Sequence, residues 1–164
     1  MKVILLVVGK TEDKYLLEGI DKYCKRLKHY LSFEIQTIPA LKNTKNLTQE
    51  QQKIKEGELI LKSLQNNDQV ILMDEKGKNP GSVTFANQLN TWFNRPVRQA
   101  GSNPGRLVFI IGGPYGFDQS VYARSNGMIA LSAMTFSHQM VRLIFVEQLY
   151  RAMTILKNEP YHHQ

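Results

Sequence analysis

The sequence predicts an α/β fold, a mostly parallel sheet flanked by helices. Three observations carry this. Short apolar runs rich in β-branched residues, KVILLVV, QVILM and LVFII, alternate with stretches whose apolar residues recur at helical spacing. Past the opening Lys2 and Gln69, each of these runs is apolar throughout, as expected of strands buried on both faces. Strand and helix alternate along the whole chain, without repeats or low-complexity tracts, and in such folds ligands bind at the carboxyl ends of the strands.

The first strand is read at Lys2–Val8 and closes at Gly9. From Asp13 to His29, Leu16, Leu17, Ile20, Tyr23, Cys24 and Leu27 recur at helical spacing between charges. Phe33–Ile38 reads as a second strand stopped by Pro39, and residues 40–46 as an irregular polar stretch. Thr48 followed three residues on by Gln51 has the form of a capping box opening a helix to about Leu64. Gln69–Met73 is the third strand, and DEKGKNPGS supplies turn chemistry through Gly77, Pro80 and Gly81. A helix is expected over Ser82–Asn94, then a polar loop whose Arg95, Arg98 and Arg106 are candidates for phosphate contact. Leu107–Ile111 runs directly into GGPYG, and Asp118 can cap a short helix. Gly127–Leu131 is short and apolar, and Ser137–Leu156 is the longest helical pattern.

Length and balance fit one domain over residues 1–164, at 42% hydrophobic and 21% charged. The net charge of +7 favours a polyanionic partner such as RNA, DNA or anionic lipid. A single cysteine, Cys24, cannot form an internal disulfide and fits a reducing cytoplasm. The opening MKVILLVVGK is too short for a membrane span and lacks a cleavage site, so no membrane association is expected. The four histidines show no metal-ligand spacing, and Asp74-Glu75 reads as a solvated pair before it reads as a magnesium site, so no metal is expected.

GGPYG, Gly112–Gly116, sits where a strand delivers main chain to a ligand, although a tight strand-to-helix turn has the same composition. It lacks the Gly-Lys-Ser/Thr of a phosphate loop and the GxGxxG of a dinucleotide fold, which disfavours a nucleotide-phosphate enzyme. In the last long helix apolar residues cover more than one stripe, consistent with burial against the sheet on one side and a subunit, or a larger core, on the other. Glu147 and Arg151 are four apart in the favourable order for a helix pair. His138 and Arg142 have the same spacing, and Arg142 among apolar neighbours calls for a carboxylate or phosphate partner if buried.

Taken together, strand-GGPYGF, ALSAMTFSHQMVRLIFVEQLYRA and the terminal NEPYHH resemble the ribosomal RNA large subunit methyltransferase H family, a branch of the SPOUT methyltransferases. The likeness spans the whole chain and is densest over Val108–His163. It implies a C-terminal trefoil knot, a homodimer, S-adenosylmethionine as cofactor, and methylation of N3 of a pseudouridine in large-subunit ribosomal RNA within the assembled ribosome, with no separate RNA-binding domain. Carried onto this sequence, cofactor contacts fall on Met73, Gly112, Leu131, Ser132, Ala133, Met134, Thr135 and Phe136. Catalysis falls on Arg142, Tyr161 and His162. We assign Arg142 to a phosphate or to the anionic base, Tyr161 to orienting the base, and His162 to removing its proton. Relatives often carry a basic or acidic residue where this chain has His163-Gln164, leaving His163 without an assigned role. The alternative from another class is a non-catalytic RNA-binding or ribosome-associated module on the same fold.

Overall fold

The computed structural model describes residues 1–94 and 105–162. Five parallel strands, β1 (Lys2–Val8), β2 (Ser32–Ile38), β3 (Gln69–Lys78), β4 (Leu107–Ile111) and β5 (Gly127–Ile129), form one sheet in the order β2-β1-β4-β3-β5. The helices are α1 (Lys14–Leu27), α2 (Gln49–Ser63), α3 (Ser82–Phe93), α4 (Gln119–Arg124) and α5 (Met140–Leu156), with a 3-10 turn at Thr44–Asn46. No helix among the described residues is long and apolar enough to cross a membrane.

Alternation along the strands divides the core into two layers. Val3, Leu5 and Val7 of β1, with Leu107, Phe109 and Ile111 of β4, face a cluster built with Leu27 of α1, Phe85 and Leu89 of α3, and Phe145, Val146 and Leu149 of α5. Ile4, Leu6 and Val8, with Val108 and Ile110, face the opposite cluster with Ile60 of α2 and Val121 of α4. Both faces are covered, which is why residues 3–8 and 107–111 carry no polar side chain. The second apolar side of α5 is met within the same chain, since α1 and α3 flank it. Gly19 permits the close approach of α1, because a Cβ there would lie 2.9 Å from Leu143 Cδ1.

The expected caps are present. Thr48 Oγ1 accepts the Gln51 N–H at 3.1 Å while Gln51 Oε1 accepts the Thr48 N–H at 2.9 Å. Asp118 accepts the Ser120 N–H at 3.0 Å at the start of α4.

Four expectations need correction. Leu17 points to solvent, leaving Leu16, Ile20 and Leu27 as the buried residues of α1. The third strand does not end at Met73 but resumes through Lys78, because both Met73 and Lys78 pair with Ile129 of β5. Helix α5 starts at Met140, where Ser137 Oγ accepts the Met140 N–H at 3.1 Å, so His138 precedes the helix. Arg106 is committed to Asp68, its Nε donating at 2.9 Å to a carboxylate whose side chain is fully buried, and is not a free phosphate ligand. Arg95 and Arg98 lie outside the described residues.

Cys24 is half-buried against the α1/α5 side of the core. Burial, helped by Asp21 and opposed by Lys28, pushes its thiol up to about 11. It is a protonated core side chain at neutral pH, not a nucleophile.

Candidate active site

The register sets the site. Met73 pairs with Ile111 on one side and Ile129 on the other, so β3, β4 and β5 come level at these three residues. The residues immediately beyond them, Asp74, Gly112 and Ala130, begin the wall of a cavity of about 520 Å3. That is the size of a small-molecule or cofactor site, at the sheet end where open parallel sheets bind ligands.

Three segments form the wall. The first is the excursion of β3 between its two pairings with Ile129, which takes residues 74–77 off the ladder. Gly77 is required there, since a Cβ would stand 2.7 Å from the N, Cα and C atoms of Ile129. The Ala130 N–H then donates to Lys78 O at 2.9 Å and fixes the exit from β5.

The second segment is the glycine loop. Gly113 and Gly116 pair across it, and Gly116 takes a φ of +77°. Gly112 and Gly113 serve a different purpose from clearing space for a ligand. A Cβ on Gly112 would meet the Phe117 ring at 3.0 Å, and one on Gly113 would collide with the buried Glu56 carboxylate. These glycines let the loop fold onto its own phenylalanine and onto α2. Tyr115 at the tip is 44% exposed and lines the cavity.

The third segment runs from Ala130 to His138. Of the residues assigned to the cofactor, Leu131, Ser132, Met134, Thr135 and Phe136 line the cavity, together with Met73 and Gly112; Ala133 does not line it. Ser132 Oγ accepts the Met134 N–H at 2.9 Å, which leaves Met134 77% exposed at the rim.

The wall also contains groups that residue-type reasoning passed over. Asp74 is half-buried: its Oδ2 accepts the Tyr122 hydroxyl at 2.6 Å and its Oδ1 the Lys76 N–H at 2.8 Å. Burial, followed by the bond to Asp74, raises the Tyr122 phenol above its ordinary range. Tyr122 stands 48 positions from Asp74, so only its place on α4 signals the contact. No group of three His, Cys, Asp or Glu able to hold a metal occurs among the described residues.

Arg142 is 1% exposed and does not line the cavity. Its partners are not the expected carboxylate or phosphate but main-chain carbonyls and a hydroxyl. Nη2 donates to Val8 O at 2.7 Å, Nη1 to Gly9 O at 2.9 Å and Thr11 Oγ1 at 3.0 Å, and Nε to His138 O at 3.0 Å. Burial pulls its guanidinium below the ordinary value and Glu12 opposes this. Arg142 thus ties the end of β1 to the last residues of the third wall segment.

Tyr161 and His162 do not lie free and do not line the cavity. The Tyr161 hydroxyl donates to Glu147 Oε1 at 3.0 Å and lies 3.3 Å from the Tyr23 hydroxyl. Its ring packs edge-on against Tyr150 at 4.8 Å and under the Arg151 guanidinium at 4.8 Å. Glu147 and Arg151 form the expected pair at 2.6 Å, so this ion pair is also the seat of the tail. Burial, then the Tyr23 and Glu147 bonds, raise the Tyr161 phenol, which stays protonated across the physiological range. His162 Nδ1 is withdrawn from solvent without a hydrogen-bond partner.

Comparison with known proteins agrees with this architecture. The family model described as "Predicted SPOUT methyltransferase" matches residues 1–162. Curated proteins named "Ribosomal RNA large subunit methyltransferase H" are similar over their full length. That of Phocaeicola vulgatus is 58% identical over 164 residues, covering 100% of both chains. Those of Parabacteroides distasonis and Flavobacterium johnsoniae are 54% and 53% identical with the same coverage. A solved structure of a probable methylase family protein from Haemophilus influenzae Rd KW20 aligns with 99% of this chain and 70% of its own at 9% identity and a TM-score of 0.48, too distant to add to the assignment. Full-length identity above one half, with the cavity built from the matching segments, establishes that this chain belongs to the SPOUT methyltransferases, in the ribosomal RNA large subunit methyltransferase H family.

Proposed function

We propose that this chain is the S-adenosylmethionine-dependent enzyme that methylates N3 of a pseudouridine in large-subunit ribosomal RNA, acting in the cytoplasm as a homodimer on the assembled ribosome. The observation that carries the reading is the cavity at the level ends of β3, β4 and β5. Its wall fits the cofactor on chemistry. Met73, Ile111, Leu131 and Val141 give an apolar lining for an adenine; Ser132 and Thr135 supply hydroxyls, and Asp74 and Glu75 supply negative charge for a cationic ligand. When bound, S-adenosylmethionine supplies a methyl group on a positively charged sulfur.

Transfer to a ring nitrogen requires N3 to lose its proton and approach the methyl carbon in line, so positioning should supply much of the acceleration. Met73, Gly112, Leu131, Ser132, Met134, Thr135 and Phe136 would hold the cofactor. Arg142 enters as a positioning residue: buried and engaged at four acceptors, it fixes His138 and the wall segment before it. Tyr161 orients the base and His162 accepts the N3 proton. The matching SPOUT family supports a knotted C-terminal segment.

The tail supports the dimer. Tyr161 is seated on Glu147 and Tyr150 in the middle of α5, whereas the cavity lies at the start of that helix, around Val141. A tail so placed serves a cavity in a second copy of the chain, and Tyr115, Met134 and Phe136 are exposed apolar groups at the cavity for that copy or the base to cover. With the +7 charge on each, two chains together present a composite basic surface to the ribosome.

The test is complementation between copies. Chains carrying Tyr161→Ala with His162→Ala, and chains carrying Gly77→Ala, are each expected to be inactive as homodimers toward ribosomes with labelled cofactor. Mixed dimers are expected to recover about half the wild-type rate, because one intact cavity then meets one intact tail. Inactive mixed dimers, from two variants that fold and pair, would place the tail at its own cavity or outside catalysis.

A further inference from the structure

Asp74 is the first residue off the β3–β5 ladder, and its carboxylate cannot swing away from the cavity wall. Both oxygens are held, one by the Tyr122 hydroxyl at 2.6 Å and one by the Lys76 N–H at 2.8 Å. Tyr122 is itself steadied edge-on by Phe117 at 5.9 Å. A phenol and an amide orient a carboxylate without cancelling its charge. Neither lysine of the wall forms an ion pair with it. Lys76 Nζ lies 5.3 Å over the Tyr122 ring, and Lys53 pairs with Glu50 at 2.5 Å. No salt bridge reaches Asp74 among the described residues, and Glu75 adds a second negative charge to the same wall.

A fixed, half-buried carboxylate with spare lone pairs and no ion-pair partner favours positive charge in the ligand beside it. On the reading of the cavity as the cofactor site, we propose that Asp74, oriented by Tyr122, is a specificity-determining residue that reads the charge on the cofactor's sulfur. Methyl transfer converts that sulfonium into a neutral thioether. The attraction to Asp74 disappears in the same step, so the reaction itself loosens the spent cofactor and favours its exchange for a fresh one.

Calorimetric titration separates the outcomes. Wild-type protein, Asp74→Asn and Tyr122→Phe are each titrated with S-adenosylmethionine, with S-adenosylhomocysteine, and with the analogue sinefungin, whose amine is positive where the sulfonium would be. The wild-type chain is expected to bind the two cationic ligands about tenfold more tightly than the neutral one, the worth of one charge-assisted contact. Asp74→Asn, which keeps shape and one acceptor, is expected to bring the three affinities together by weakening only the cationic ligands, and Tyr122→Phe to do so in part. Equal weakening of all three by Asp74→Asn would mean that Asp74 serves hydroxyl groups, and unchanged affinities would mean that it serves none; either overturns the proposal alone. A wild-type chain that binds none of the three overturns the reading of the cavity and the proposal with it.

Discussion

Arg142→Ala is expected to destabilise the protein by about 3–5 kcal/mol, from buried acceptors left without donors and the cavity left by a large side chain. The guanidinium donates to Val8 O, Gly9 O, Thr11 Oγ1 and His138 O, and it is one of the largest fully buried side chains. Alanine leaves those acceptors without donors and opens a cavity beside β1. For a chain of 164 residues the melting temperature should fall by on the order of 10 °C. Arg142→Lys keeps one charge but cannot reach β1 and His138 together with a single ammonium, and should recover only part of the loss. Thermal unfolding of both variants checks this. A melting temperature within a degree or two of wild type for Arg142→Ala would show that these bonds contribute little net stability. Because His138 closes the wall segment that starts at Ala130, cofactor affinity is expected to drop alongside stability, and Arg142→Lys to separate the two.

Gly77→Ala is expected to weaken cofactor binding by more than tenfold while leaving the rest of the sheet in place. The added Cβ would sit 2.7 Å from three backbone atoms of Ile129, and backbone cannot yield as a side-chain end can. Either residues 74–77 or β5 must move. β5 has only three residues, and the cavity wall from Ala130 onward hangs from it, so β5 is the weaker partner. The readouts are titration with S-adenosylmethionine and amide hydrogen exchange at Ala130, whose N–H donates to Lys78 O. Undiminished affinity with a protected Ala130 amide would contradict the account of how the wall is held.

The fold was legible where burial on both faces removes every polar residue from a strand. LVFII ends where β4 ends, and KVILLVV where β1 ends, because each continues directly into a glycine that the next loop uses. Local side-chain caps were equally readable, since Thr48–Gln51 and Asp118–Ser120 are formed by residues close in the chain. The second half of β3 was not. DEKGK is polar, and it is strand only because β5, far along the chain, offers Ile129 a second time.

The same division runs through the site. The segment after β5 and the glycine loop were found by their motifs, and they do line the cavity. Arg142 was singled out because a charge among apolar neighbours needs a partner, but its partners are carbonyls, which leave no mark in the sequence. The Asp74–Tyr122 contact was missed for a related reason: adjacent carboxylates in a glycine-containing turn resemble solvated ones unless the opposing helix is known. Tyr161 was assigned to the base from the terminal motif alone, which gives no sign that Tyr23, 138 positions away, and Glu147 hold it.

The central claim is most directly tested by mass spectrometry of nucleosides released from ribosomes incubated with this protein and methyl-labelled S-adenosylmethionine. The account predicts the label on N3 of pseudouridine from the large-subunit RNA, with assembled ribosomes labelled in preference to naked RNA. Label on uridine or guanosine, or no label on ribosomes that lack the mark, would contradict it.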